Sequence, residues 1–76
     1  MKEFLEFVVK QLVDHPESVV IDLEEKDGKH FFKLKVAEGE IGKIIGRRGQ
    51  TAMSLRVLLK AVAAKEGKRA VLDIIG

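Results

Sequence analysis

The chain lacks cysteine, tryptophan and tyrosine, and it has a single proline and no long apolar run. Without cysteine, neither a disulfide nor a thiolate metal site stabilises the fold, so stability has to come from apolar packing. No stretch approaches the roughly 20 apolar residues that span a bilayer, and none resembles a signal peptide. We therefore expect a cytoplasmic protein with no membrane partner.

Candidate catalytic and metal-binding groups are also scarce. The two histidines, His15 and His30, have no nucleophile or metal-ligand set near them in the sequence. The acidic residues within 22–27 do not follow calcium-loop spacing and are typical of a solvated hairpin. The segment 42–46 has three residues between its glycines, whereas a phosphate-binding P-loop has four and then Lys-Ser or Lys-Thr. We therefore predict no enzymatic activity, no cofactor, no metal and no small-molecule substrate.

Positive charge is concentrated in one part of the chain. Residues 41–65 include six basic residues and no acidic one, whereas the remaining residues carry eight basic and twelve acidic side chains. The six are Lys43, Arg47, Arg48, Arg56, Lys60 and Lys65. A polyanion is attracted to such a region and repelled by the rest of the chain, so the charge distribution favours a polyanionic partner.

The first half of the chain has the pattern of a helix followed by a β-hairpin. Apolar residues at helical spacing predict a helix over residues 3–14, which ends before Pro16 because the residue preceding proline avoids the α region. Alternating apolar and polar residues predict strands over 18–25 and 30–36. An Asp-Gly pair within 26–29 predicts a tight hairpin between them.

The second half predicts two helices and a final strand. A short helix over 40–45 ends at Gly46, and a longer one over 50–66 has Gly67 as its C-cap. A strand rich in apolar residues follows over 69–75. A connection through two helices allows parallel pairing of the strands on either side. The predicted fold class is α+β, in the order α-β-β-α-α-β, with a mixed three-stranded sheet and three helices on one face.

The segment 41–51, Ile-Gly-Lys-Ile-Ile-Gly-Arg-Arg-Gly-Gln-Thr, is the most informative feature of the chain. Gly46 and Gly49 flank Arg47 and Arg48 between the two predicted helices. Glycine lets a ligand approach the backbone closely. A helix that begins after such a turn presents free N–H groups and the positive end of its dipole. Together these features predict a positively charged site for a phosphodiester backbone.

This segment resembles the Gly-x-x-Gly loop of a KH domain, a module that binds single-stranded RNA. Residues 44–49 match the family's apolar-apolar-Gly-x-x-Gly pattern, and the loop falls between the fourth and fifth elements, as in the type II KH fold. The resemblance covers essentially all 76 residues, so we expect a single KH domain over residues 1–76. The chain is similar to the small stand-alone bacterial KH proteins of the KhpA type, which bind RNA, dimerise and pair with a larger KH-containing protein.

The resemblance implies a cleft for about four nucleotides beside the glycine loop. The arginines are expected to neutralise phosphates without reading sequence, and Lys43 to reach a neighbouring phosphate. Bases are expected in an apolar groove with a floor of Ile41, Ile44 and Ile45 and a wall at the sheet edge near residues 31–35. The predicted RNA-binding residues are Ile41, Gly42, Lys43, Ile44, Ile45, Gly46, Arg47, Arg48, Gly49, Gln50 and Thr51.

Packing competes with ligand binding at several of these positions. We interpret Gly42 as a helix-packing residue rather than a ligand contact. We expect Ile44 and Ile45 to divide, one facing the core and one facing the groove. Phe31 has two open interpretations, stacking on a base or packing on its strand neighbours.

The predicted long helix is apolar over more than one stripe. Its apolar residues are Met53, Leu55, Val57, Leu58, Leu59, Ala61, Val62, Ala63 and Ala64. A helix of this kind is buried on more than one side, which favours a protein partner. Arg56 and Lys60, four residues apart, are typical of its solvated face.

We expect an RNA-binding protein that acts as a post-transcriptional regulator or RNA chaperone, as a homodimer or with a larger KH-containing partner. Two alternatives stay open. The groove could take single-stranded DNA, which differs by the absent 2′-OH, or the chain could be a protein-interaction adaptor that docks through its apolar long helix.

Overall fold

The computed structural model describes residues 1–75 and has the predicted α-β-β-α-α-β order. The main elements are α1 (Lys2–Leu12), β1 (Val20–Lys26), β2 (Lys29–Lys35), α2 (Ile41–Ile45), α3 (Gln50–Lys65) and β3 (Arg69–Ile75). Short 3-10 turns lie at Pro16–Ser18 and Arg47–Gly49. The predicted fold class is confirmed, and each predicted boundary lies within two residues of the observed one.

The first helix ends earlier than predicted. The residue after α1, Val13, is extended, with φ −103° and ψ 158°, and its side chain is buried in the core. Pro16 begins the following 3-10 turn, a position where its fixed φ is favourable and its missing N–H costs nothing. The chain therefore leaves the helix at Leu12 so that Val13 reaches the core.

The sheet has the strand order β1-β2-β3, with β1 antiparallel and β3 parallel to β2. Opposite charges face each other across the hairpin, since Asp22 pairs with Lys33 in the register. The prediction that residues 31–35 form a sheet edge is wrong. β2 is the central strand, because β3 pairs along its full length on the side that the hairpin leaves open.

The core lies between the sheet and the three helices, which cover one face. The largest side chains with under 2% exposure are Phe32, Leu5, Leu34, Ile44, Leu59 and Val9. Burying each of these contributes roughly 1.5–3 kcal/mol. The opposite face of the sheet stays open and includes the half-buried Phe31 and the exposed Val71. The three-helix layer on one face is therefore confirmed.

The end of α3 turns the chain back into the sheet through a glycine cap. Gly67 has a φ of +72°, and its N–H donates to the carbonyl of Ala64 over 3.0 Å. The N–H of Lys68 donates to the carbonyl of Ala63 over 2.8 Å. This pair of bonds is a Schellman motif, and it confirms Gly67 as the residue that ends the long helix.

Candidate nucleic-acid interface

Residues 46–49, the GRRG loop, combine left-handed backbone with exposed cations. Gly46 has φ 74° and ψ −177°, Arg48 has φ 56° and ψ 27°, and Gly49 has φ 74° and ψ 9°. A left-handed conformation at a residue with a side chain costs about 1–3 kcal/mol, and such strain clusters at binding sites. At Arg48 the strained backbone carries an exposed guanidinium.

The two glycines of the loop have different roles. A Cβ at Gly46 would overlap Thr51 Oγ1 and would lie 2.5 Å from Thr51 Cβ. A Cβ at Gly49 would meet no atom within 4 Å. Gly46 therefore allows the first turn of α3 to pack against the loop, whereas Gly49 keeps an open side. The prediction that both glycines clear space for a ligand is wrong for Gly46.

The cations of the loop have no ion-pair partner among residues 1–75. Arg47 and Arg48 are exposed, and neither takes part in an ion pair within residues 1–75. Directly after them, α3 begins without a side-chain cap. The first N–H groups of a helix lack intrahelical partners and carry the positive end of its dipole. The arginines and this helix end together form a surface that attracts an anion.

Lys43 lies one turn before the loop but has a different partner. Its ammonium forms an ion pair with the carboxylate of Asp14, which precedes the first 3-10 turn. This contact raises the pKa of Lys43 and lowers the pKa of Asp14. The structure therefore directs Lys43 toward the connection after α1 and does not group it with the two arginines.

A buried carboxylate holds the start of α2 against the same connection. Glu40, which is 4% exposed, accepts hydrogen bonds from the N–H groups of Asp14 at 2.8 Å and His15 at 3.1 Å. The His15 ring donates through Nδ1 over 2.9 Å. Burial alone would raise the pKa of Glu40, but the His15 and backbone hydrogen bonds and the positive charges of His15 and Lys43 outweigh it and lower that pKa. The Glu40 contact raises the pKa of His15.

Sequence reasoning missed this cluster, which we call the Glu40 cluster (Asp14, His15, Glu40 and Lys43). Its members are brought together across sequence separations of 25 to 29 residues. The one local sign of this cluster is the position of Glu40, an acidic residue directly before the cationic segment 41–65 and at the N-cap of α2.

The predicted apolar floor of the groove is only partly correct. Ile44 is 0% exposed, so its assignment to the ligand surface is wrong: on the amphipathic α2 it faces the core. Ile45 is 37% exposed, and Ile41 is partly buried against the core. The core-facing half of the expected division is confirmed for Ile44, whereas the assignment of Ile45 to the groove stays a prediction. Gly42 is exposed, and a Cβ there would meet no atom within 4 Å, so its helix-packing interpretation is wrong.

An apolar cavity of about 360 Å³ adjoins the loop on the side of α1. Gln50 and Thr51 line the end next to the loop, so these two predicted site residues face this cavity. Ser54 and apolar side chains from both helices, among them Val8, Leu12 and Leu58, line the remainder. Sequence reasoning did not assign them to a site, because an apolar residue on an amphipathic helix is first expected in the core.

Within residues 1–75, no helix has the length and apolar composition that a bilayer crossing requires. Across the same residues, no group of three or more His, Cys, Asp or Glu side chains is placed to hold a metal ion.

Comparison with known proteins covers nearly the whole chain. Residues 2–74 match the model of the KhpA/KhpB KH domain. The RNA-binding protein KhpA of Listeria monocytogenes is 44% identical over 75 residues, 99% of each chain. KhpA of Chlamydia muridarum is 43% identical over 99% of this chain and 96% of its own length. KhpA of Borreliella burgdorferi is 42% identical over 96% of this chain and 89% of its own. The similarity therefore extends over all six helices and strands.

Proposed function

Because the chain belongs to the KhpA/KhpB family of KH domains, we propose that it binds single-stranded RNA at the GRRG loop. RNA binding is the property named for its relatives. The observation that carries the proposal is the pair of exposed arginines, without acidic partners in residues 1–75, at the uncapped start of α3. We further propose that residues 1–76 act as one KH domain.

In this binding mode the backbone of about four nucleotides runs along the loop. Arg47 and Arg48 neutralise phosphates, and the open side of Gly49 lets the sugar-phosphate chain approach. The N–H of Gln50 already donates to the carbonyl of Arg47, so the start of α3 contributes through the positive end of its dipole. Ile45 is the exposed apolar residue beside the loop and offers a contact for a base. Lys43 contributes less because it is paired with Asp14.

The proposed site is weak when it acts alone. If it neutralises three phosphates, the binding constant falls about twenty-fold between about 50 and 200 mM salt. Phosphate contacts position the strand but do not read its sequence. Useful affinity then requires two sites on one RNA, which a dimer or a second KH protein supplies.

The direct test is the double substitution of Arg47→Asp and Arg48→Asp. We expect the circular dichroism spectrum and Tm to stay unchanged and the affinity for a single-stranded RNA oligomer to fall at least about 100-fold, because two attractive charges become repulsive. The control is Lys2→Asp with Lys10→Asp, which makes the same change in net charge at exposed positions on α1. Retained RNA binding by the loop variant would reject the proposal.

A matched DNA oligomer separates the two nucleic-acid alternatives. We expect the RNA to bind more tightly than DNA of the same sequence, because only RNA has 2′-OH groups that the protein can contact. Equal or tighter binding of the DNA would favour the single-stranded DNA alternative. Crosslinking in cells tests the adaptor alternative, which predicts protein adducts with little RNA.

We also propose that the outer surface of α3 pairs with a second copy of the chain. Met53, Val57 and Leu58 are 64%, 61% and 51% exposed, and Phe7 on α1 is 67% exposed. Leu58 also lines the cavity between α1 and α3. A stable interface covers roughly 800 Å² per partner, about 15% of the accessible 5223 Å². A larger KH-containing protein is the proposed alternative occupant.

Light scattering of Leu58→Glu tests this pairing. A buried unpaired carboxylate is unfavourable, so we expect the variant to stay at the 8.5 kDa monomer mass where the unmodified protein has twice that mass. The control is Val20→Glu, since Val20 is 48% exposed and lies on the sheet. A monomeric unmodified protein at high concentration would reject the homodimer.

These properties fit a cytoplasmic RNA chaperone or post-transcriptional regulator, and we propose no catalytic activity for the chain. Crosslinking followed by RNA sequencing would test this role. Abundant, reproducible transcript sites that are lost in the loop variant are the expected result.

A further inference from the structure

A second basic surface lies at the opposite end of α3 from the GRRG loop. A cavity of about 360 Å³ opens between the last turns of α3 and the start of β3. Its lining includes four basic side chains, Lys29, Lys60, Lys68 and Arg69, and no acidic one. We call it the far-end cavity. Along the helix axis, the cavity residues Lys60 and Ala64 lie about 15 to 21 Å from the first residue of α3, Gln50.

The charges around the far-end cavity are not balanced by acidic partners. None of its four cations forms an ion pair within the described residues 1–75. The register places Lys29 beside Arg69 on one side and beside Lys26 on the other. Like charges opposite each other in a sheet destabilise it. A bound anion would remove this repulsion, so the arrangement is explained by a ligand better than by stability.

The acidic residue that directly follows α3 has another partner. Glu66 lies 3.6 Å from the amino group of Met1. The C-terminal end of α3 does oppose an anion, but its dipole amounts to about half a negative charge. Four formal positive charges outweigh it.

An apolar pair on the open face of the sheet adjoins these cations. Phe31 pairs with Val71 two residues along the strands from the pair of Lys29 and Arg69, which places both pairs on the same face of the sheet. Val71 is 43% exposed and also lines the cavity. Basic side chains next to an accessible aromatic ring are the combination that single-stranded nucleic acids use for phosphates and stacked bases.

We propose that the far-end cavity is a second phosphate-binding site for the RNA held at the GRRG loop. The inference rests on the proposed function and extends it: an RNA longer than the four or so nucleotides of the loop site contacts both ends of α3. The domain then prefers long single strands to short ones without reading their sequence.

The test compares two RNA lengths on two variants. Lys60→Gln with Lys68→Gln removes two charges from the cavity, and the control Lys2→Gln with Lys10→Gln removes two charges from exposed positions on α1. For an RNA of about twelve nucleotides, we expect the cavity variant to bind about ten-fold more weakly at about 0.15 M salt, and the slope of log K against log salt to decrease by about 1.4. For an RNA of about four nucleotides, binding should be unchanged. The affinity of the control variant should stay within about two-fold of that of the unmodified protein for both RNAs.

Each other outcome counts against the site. Unchanged binding of the longer RNA by the cavity variant would overturn it while leaving the loop proposal intact. An equal loss with the control variant would reduce the effect to net charge and would also overturn it. If the unmodified protein binds neither RNA, the proposed function fails and this inference fails with it. Circular dichroism and Tm verify that both variants are folded.

Discussion

The residues before and after Gly46 carry the same kind of charge in two different situations. Before it, Lys43 is paired with Asp14 beside the buried Glu40. After it, Arg47 and Arg48 point to solvent with no acidic partner among residues 1–75. Proximity to a binding motif therefore does not make a cation available to a ligand. What decides its role is whether the fold places a carboxylate within reach.

The largest expected effect comes from the glycines that bound the loop. Gly46→Ala combines a strained positive φ with overlap against Thr51, and we expect it to lower the free energy of unfolding by about 3 kcal/mol or more. Gly49→Ala has the strained φ but open space, and we expect a loss of about 1 kcal/mol. Urea denaturation measures both. Equal losses would show that Thr51 does not constrain the loop.

The second effect tests the anchoring of α2. Glu40→Ala leaves the N–H groups of Asp14 and His15 without their acceptor, so we expect Tm to fall by about 5 °C or more. Glu38→Ala is the matched control, because Glu38 is exposed two residues earlier. If RNA affinity falls with Tm in the Glu40 variant, the cluster also positions the loop. If Tm does not change, the contact between α2 and the connection after α1 contributes nothing to stability.

The third effect compares single cations. Arg47→Met should weaken RNA binding about four-fold at about 0.15 M salt, which corresponds to the loss of one phosphate contact. Lys43→Met should weaken it less than about two-fold, because its charge is already paired. Fluorescence anisotropy with one labelled oligomer measures both. A larger loss of RNA affinity for Lys43→Met than for Arg47→Met would contradict the view that only the cations after Gly46 are available to the ligand.

The smallest effect is a pH dependence of the Glu40 cluster. Because the pKa of Glu40 is lowered from 4.5, its contribution is complete above that value and is lost as the pH falls through the lowered pKa. Because the pKa of His15 is raised from 6.5, its contribution is complete below that value and is lost as the pH rises through the raised pKa. The Tm difference between the unmodified protein and His15→Ala should therefore be largest between these two values. Thermal melts across the range measure it, and a constant difference would contradict it.

Much of the fold could be predicted from local patterns. Pro16 marked the end of the first helix, the Asp27-Gly28 pair marked the hairpin, and Gly46 and Gly67 marked the ends of two helices. These signals act over a few residues, so they are visible in a single sequence. The two arginines could be assigned to the candidate site for the same reason.

The unpredicted features depend on residues that are distant in sequence. The Glu40 cluster joins the end of the first helix to the start of the second, and no local pattern specifies that contact. β2 is the central strand because β3 pairs with β2 rather than with β1, and no local pattern decides between these two pairings. Two local features were also not predicted, the packing of Gly46 on Thr51 and the left-handed backbone of Arg48, because residue propensities do not specify either one.

The parallel pairing of β2 with β3 has a consequence for synthesis of the chain. The GRRG loop lies within the crossover between these strands, and a crossover is held in place only when its second strand docks. While the chain is still emerging from the ribosome, residues 69–75 have not yet paired with the sheet. The loop and its arginines are therefore not yet held in their final positions. We therefore expect the protein to become competent for its ligand only when β3 pairs with β2 and completes the sheet.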